Sequence, residues 1–155
     1  MKINSLLIGL GEIGYKYDIN NMKNKNFYSH AKSLSLHNAF VLSGAVDINK
    51  NNLKDFKRYY SCPTFVNISE AMKVIEPEFI IISTPSNTHY KVVNEVLKYK
   101  SVKIILCEKP LDIDYKKSLE LINECELNNV DLFVNYIRRC DPGIIKLRRL
   151  ILTKE

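Results

Sequence analysis

Ile3-Asn4-Ser5-Leu6-Leu7-Ile8-Gly9-Leu10-Gly11-Glu12-Ile13-Gly14 follows Met1-Lys2 at the start of the sequence. The run from Ile3 to Ile8 reads as a buried strand that ends at a glycine turn. Gly9, Gly11 and Gly14, with Leu10, Glu12 and Ile13 between them, then fit G-x-G-x-x-G directly after that strand. Dinucleotide binding needs each glycine for a separate reason. The first permits the tight turn, the second lets backbone approach a pyrophosphate, and the third allows close helix–strand packing. A strand-to-helix turn without a ligand would accept the same glycines, so the motif gains weight from its place after an apolar strand.

Further along, short apolar runs alternate with amphipathic stretches. Phe40 to Val46 is the next strand candidate, followed by Cys62 to Val66, Phe79 to Ile82, Val102 to Cys107 and Val130 to Val134. Between them, helical spacing of apolar residues predicts helices over Asn51 to Tyr60, Glu70 to Ile75 with Ser69 as its N-cap, and from Asn87 onward through Tyr90, Val93, Val96 and Leu97. Asp114 is positioned to cap a helix carrying Leu119, Ile122 and Leu127, and Pro142 suits the first turn of a last one. Continuously apolar strands alternating with helices predict an α/β fold: a doubly wound parallel sheet of the Rossmann type, covered on both faces. Asn20 to Asn26 is polar and unpatterned and reads as a surface loop inserted after the first helical turn.

Composition narrows the function classes. The chain has 155 residues, about one domain, and is 46% hydrophobic, enough for a substantial core. Its net charge of +6 would attract anions, but most lysines are scattered, and the one dense basic cluster is Arg138, Arg139, Lys146, Arg148 and Arg149. Nucleic-acid binding is therefore not expected. No apolar run at the start is long enough for a secretory or membrane segment, and the four cysteines form no C-x-x-C pair. A cytoplasmic protein with reduced thiols is expected. The three histidines, His30, His37 and His89, show no zinc-ligand spacing, so no metal is expected.

An acidic residue ending the second strand should accept hydrogen bonds from the adenosine ribose and repel a 2′-phosphate. Asp47 occupies that place, further from the glycine loop than the usual spacing of about 20 residues, and the Asn20–Asn26 insertion accounts for much of the excess. NAD is thus favoured over NADP. Asp47 could instead be a helix cap before Asn49-Lys50-Asn51.

Three later motifs each follow a strand candidate: Ser83-Thr84-Pro85-Ser86-Asn87-Thr88-His89, Cys107-Glu108-Lys109-Pro110-Leu111, and Asn135-Tyr136-Ile137-Arg138-Arg139-Cys140-Asp141-Pro142. With the glycine loop they make the whole chain resemble the N-terminal domain of the glucose–fructose oxidoreductase / inositol dehydrogenase / MocA family. The resemblance implies that Gly9, Gly11, Glu12, Ile13 and Gly14 form the pyrophosphate loop and Asp47 the ribose acid. It implies that Ser83, Thr84, Pro85, Asn87 and His89 line the nicotinamide half of the cofactor pocket. Glu108, Lys109 and Pro110 match the family's E-K-P motif, whose lysine lies near the reacting carbon. Tyr136 and Arg139 fall in the segment close to the substrate, although Tyr136 could equally be a stacked core aromatic.

The chemistry of Lys109 agrees with that place. As hydride leaves a carbon its hydroxyl loses a proton, and a cation beside the oxygen stabilises the developing charge. Two departures from the family stand out: the insertion between Gly14 and His30, and the end of the chain at Glu155, where members continue into a C-terminal α/β domain. Residues 1–141 are accordingly expected to form the NAD(P)-binding domain, and 142–155 a helix leading to an absent substrate domain. Exposed apolar surface could then support a homo-oligomer. The implied function is NAD(P)-dependent oxidoreduction of a sugar, sugar-nucleotide or polyol, a small-molecule substrate with no membrane partner. The alternative is a non-catalytic nucleotide-binding or scaffold module. A methyltransferase would not require Glu-Lys-Pro, and the short-chain-dehydrogenase spacing Tyr-x-x-x-Lys at Tyr28/Lys32 and Tyr99/Lys103 falls at the wrong places in the fold.

Overall fold

A computed structural model of the chain describes residues 2–23 and 25–153. Met1, Asn24 of the expected loop, and Lys154 and Glu155 of the expected last segment lie outside the described residues. Six strands form one sheet: β1 (Ile3–Ile8), β2 (Phe40–Val46), β3 (Thr64–Phe65), β4 (Phe79–Ile82), β5 (Ile104–Glu108) and β6 (Asp131–Asn135). Their order is β3-β2-β1-β4-β5-β6, and every neighbouring pair is parallel. The order reverses between β1 and β4, which opens a crevice at the carboxyl ends of those strands.

Both faces of the central strands are covered, which is why β4 and residues 6–8 of β1 are continuously apolar. Leu6, Ile8, Ile80 and Ile82 point to one side, where they pack with Val93, Val96, Leu121 and Met72. That layer is made by α3 (Ile68–Ile75), α4 (His89–Val96) and α5 (Tyr115–Leu127). Leu7, Ala45 and Ile81 point to the other, against Ala31, Leu34, Leu53 and Phe56 of α1 (His30–Leu36) and α2 (Lys50–Phe56). The side-chain alternation of a strand divides each apolar run between two cores.

Several boundaries differ from those expected. β3 is shorter, because only Ala45 and Val46 of β2 offer it a partner. α2 stops at Phe56 rather than Tyr60. α3 begins at Ile68 with Asn67, not Ser69, as its cap residue. Ser86–Thr88 form a 3₁₀ turn, so α4 starts at His89 and Asn87 does not cap it. Asp114 does cap α5, its carboxylate accepting from Lys116 N.

The insertion departs most from a plain loop. Lys16–Asn21 form a 3₁₀ helix, and Asp18 is fully buried. Ile13 O accepts from His30 N and Gly14 O from Ala31 N, where an unbroken helix would bring residues four positions on. About thirteen residues are thus looped out of one helical path, which resumes at His30. Asp18 accepts from Tyr28 N (3.0 Å) and Ser29 Oγ (2.7 Å), and Lys32 Nζ, itself buried, lies 3.5 Å from Asp18 Oδ1 and donates to Asn21 O and Asn26 O at 2.8 Å. A buried ion pair with its donors satisfied closes the base of the insertion.

α6 (Pro142–Thr153) begins at Pro142 as expected, and none of its described residues is buried. No described helix is long and apolar enough to cross a membrane.

Candidate cofactor and substrate site

The glycine loop sits at the carboxyl end of β1, and two of its three glycines are required by protein neighbours. Gly9 has φ +98°, and a Cβ there would lie 2.6 Å from the Ser83 carbonyl. At Gly14 a Cβ would collide with the Gly9 carbonyl oxygen. Gly11 is different: a Cβ there would meet no protein atom within 4 Å. Packing within the chain does not demand that glycine, so the space beside it is free for a ligand to approach the backbone.

Asp47 ends β2 and turns back onto the loop. Its Oδ2 accepts from Leu10 N at 2.7 Å and from Asn52 Nδ2 at 3.2 Å, and its Oδ1 accepts from Asn49 N at 2.7 Å. Asp47 therefore ties the phosphate loop to the start of α2, while the cap of that helix is Asn49, whose side chain accepts from Asn51 N. A carboxylate offers about four acceptor positions, so three protein donors leave one unfilled.

Ser83 and Thr84 follow β4. The Ser83 hydroxyl donates to Gly9 O at 2.8 Å, bracing the loop from the neighbouring strand end. Thr88 Oγ1 donates to Thr84 Oγ1 at 2.8 Å, while Pro85 and Asn87 are exposed at the rim. His89 is fully buried. Its Nδ1 faces Pro110 O and its Nε2 faces Thr84 O, both at 2.9 Å. The ring lies behind the pocket wall and joins the Thr84 turn to the Pro110 turn, rather than presenting polar atoms to the cleft.

Glu108 closes β5 and does not pair with Lys109. Its Oε1 accepts from His30 Nε2 at 2.8 Å and from Asn135 Nδ2 at 2.6 Å. Burial pushes this carboxyl up, but the hydrogen bonds from His30 and Asn135 and the nearby imidazole outweigh it and hold the carboxyl below the usual range. Lys109 is exposed, and among the described residues no hydrogen bond or ion pair engages its ammonium. Tyr136 is 53% exposed and so is not a core aromatic, and Arg139 is exposed in the 3₁₀ turn Ile137–Cys140. His30 and Asn135 join the site through Glu108, a partner distant from both in the chain; Asn135 reaches it from the end of β6, paired in register with Glu108.

Burial pushes the Cys107 thiol to about 12 and those of Cys62 and Cys125 to about 11, and all four cysteines are free. Two surface hollows, about 240 Å³ beside Phe40 and Tyr60 and about 380 Å³ between α5 and β6, lie away from the crevice.

Residues 3–136 match the model of the oxidoreductase family with an NAD-binding Rossmann fold, Gfo/Idh/MocA. The chain belongs to this family. The Gfo/Idh/MocA chain is 25% identical over 146 residues to myo-inositol 2-dehydrogenase of Thermotoga maritima, covering 94% of this chain and 39% of that protein. It is 34% identical over 83 residues to inositol 2-dehydrogenase of Mycolicibacterium smegmatis, covering 53% of this chain and 24% of the relative. Among solved structures, the WlbA dehydrogenase of Bordetella pertussis, in complex with NADH and UDP-GlcNAcA, has the same fold. Its TM-score is 0.82 at 20% identity, over 98% of this chain and 40% of that one. The Lactobacillus plantarum myo-inositol 2-dehydrogenase gives a TM-score of 0.79 at 19% identity, over 99% and 42%. The chain thus spans about two fifths of the length of these full-coverage relatives.

Proposed function

We propose that residues 1–141 hold NAD(H) in the crevice above β1 and β4, and that α6 leads toward a substrate-binding half. The protein would then transfer hydride between the cofactor and a carbon of a sugar, sugar-nucleotide or polyol. The observation that carries this reading is the presence of an open Gly11, an Asp47 with one acceptor position left, and an unpartnered Lys109 after the carboxyl ends of β1, β2 and β5. The relatives named for inositol, and the neighbour holding NADH and a sugar nucleotide, support the same substrate class.

Each residue has a stated task. Backbone N–H groups at Gly11 and beyond face the diphosphate. Asp47 accepts from the adenosine ribose and disfavours a 2′-phosphate, so NAD is preferred over NADP. The Thr84–Pro85 turn and Asn87 form the wall beside the nicotinamide, supported from behind by His89. Bound NAD(H) would supply the hydride or receive it. Lys109 places its ammonium beside the substrate oxygen, stabilising negative charge there and carrying a proton to or from it. Tyr136 and Arg139, exposed beyond β6, would touch the substrate.

The test is NADH formation when the chain, joined to the remaining length that its relatives have, is given NAD⁺ and a panel of polyols and sugar acids, myo-inositol first. Lys109→Ala should lower turnover by about a hundredfold or more while cofactor affinity changes only a few-fold. Near-normal turnover in that variant contradicts the role of Lys109.

A further inference from the structure

We infer that His30 is a positioning residue: it fastens the Glu108–Lys109 turn to the phosphate loop, so that order in the loop and the placement of Lys109 are one event. The inference rests on the proposed contact of Lys109 with the reactive end of the cofactor site. His30 meets both segments at once. Its backbone N–H donates to Ile13 O at 3.0 Å, and the next residue, Ala31, donates to Gly14 O at 2.9 Å. Its ring meanwhile donates to Glu108 Oε1 at 2.8 Å. Asn135 supplies the second donor to the same oxygen from the neighbouring strand. The carboxylate is 13% exposed, so water replaces a lost donor only poorly. With Glu108 fixed by two donors, the one residue that follows it, Lys109, leaves the sheet in a set direction.

The insertion makes the arrangement more telling. Extra residues between a phosphate loop and its helix give that helix freedom to restart elsewhere. Here the two residues before His30 are both held by Asp18, through Tyr28 N and Ser29 Oγ. Two residues after it, Lys32 reaches back to Asn21 O and Asn26 O. The buried Asp18–Lys32 pair therefore clamps the insertion on both sides of His30, and returns that ring to Glu108 across the interruption.

The experiment acetylates lysines of the whole chain with an amine-reactive ester, with and without saturating NADH, and reads each peptide by mass spectrometry. In the wild-type chain NADH should slow acetylation of Lys109 about tenfold, with exposed Lys54 and Lys116 unaffected. In His30→Ala, NADH affinity should fall no more than about threefold, yet protection of Lys109 should drop below about twofold. His30→Gln, whose amide N–H can replace the ring donor, should restore most of the protection, an outcome that a merely destabilising change would not produce. Undiminished protection in His30→Ala overturns the inference and leaves the proposed function standing. A wild-type chain that binds no NADH overturns the proposed function, and this inference with it.

Discussion

Leu10 N donates to Asp47 Oδ2 at 2.7 Å, joining the turn after β1 to the end of β2. The contact means that Asp47 shapes the phosphate loop in addition to its proposed contact with the ribose. Asp47→Ala should therefore weaken NADH binding by about ten- to a hundredfold, from the loss of a charged acceptor and a looser loop. The decisive quantity is the NADH to NADPH affinity ratio from parallel titrations. It should fall toward one, because the repelling carboxylate is gone. A ratio unchanged from wild type would remove Asp47 from cofactor selection.

Gly9 and Gly11 should respond oppositely to alanine. Gly9→Ala puts a Cβ 2.6 Å from the Ser83 carbonyl at positive φ and should cost about 2 kcal/mol or more of stability in urea unfolding. Gly11→Ala meets no protein atom. Its stability should stay within about 0.5 kcal/mol of wild type while NADH affinity falls at least about tenfold. Equal loss of stability in both variants would show that Gly11 serves the fold rather than a ligand.

Asp18→Ala should be costly although the residue lies far from the phosphates in sequence. It strips a buried ammonium of its carboxylate and leaves Ser29 Oγ and Tyr28 N without their acceptor. A loss of about 3–5 kcal/mol follows, read from urea midpoints. Loss below about 1 kcal/mol would mean that the insertion is not braced by this pair.

Acid should destabilise the chain through Glu108 and Asp18. Burial raises both carboxyls, but hydrogen bonds from His30 and Asn135 for Glu108, and from Ser29 and Tyr28 with the Lys32 charge for Asp18, bring them below their usual values. A depressed carboxyl stabilises the fold above its unfolded pKa of about 4. That contribution is lost as pH falls through the lower folded value, because the unfolded chain takes up protons first. Urea midpoints should fall below about pH 4, and Glu108→Gln should flatten that slope. An unchanged slope would show that the carboxyl is not depressed in the fold.

Most of the architecture was legible in the sequence, for a physical reason. Strand segments buried on both faces are apolar, so β4 throughout and the carboxyl halves of β1 (residues 6–8) and β2 (residues 44–46) stand out whatever their neighbours are. The glycine loop and Asp47 were legible because backbone geometry and strand-end position restrict the residue type. Caps were less so: Ser69 and Asn87 have capping chemistry, yet the chain starts its helices at Ile68 and His89. The insertion carries no periodicity, and the burial of Asp18 and Lys32 depends on their mutual contact rather than on local pattern. His30 gave no zinc-like spacing, and its partner Glu108 is many residues away, so the link between phosphate loop and lysine turn appears only in three dimensions.

Titration calorimetry of the chain with NADH and with NADPH tests the central claim most directly. The account predicts saturable binding at one site per chain, with NADH the tighter ligand, and an affinity at least about tenfold weaker in Gly11→Ala. A well-folded chain that binds neither dinucleotide would contradict it.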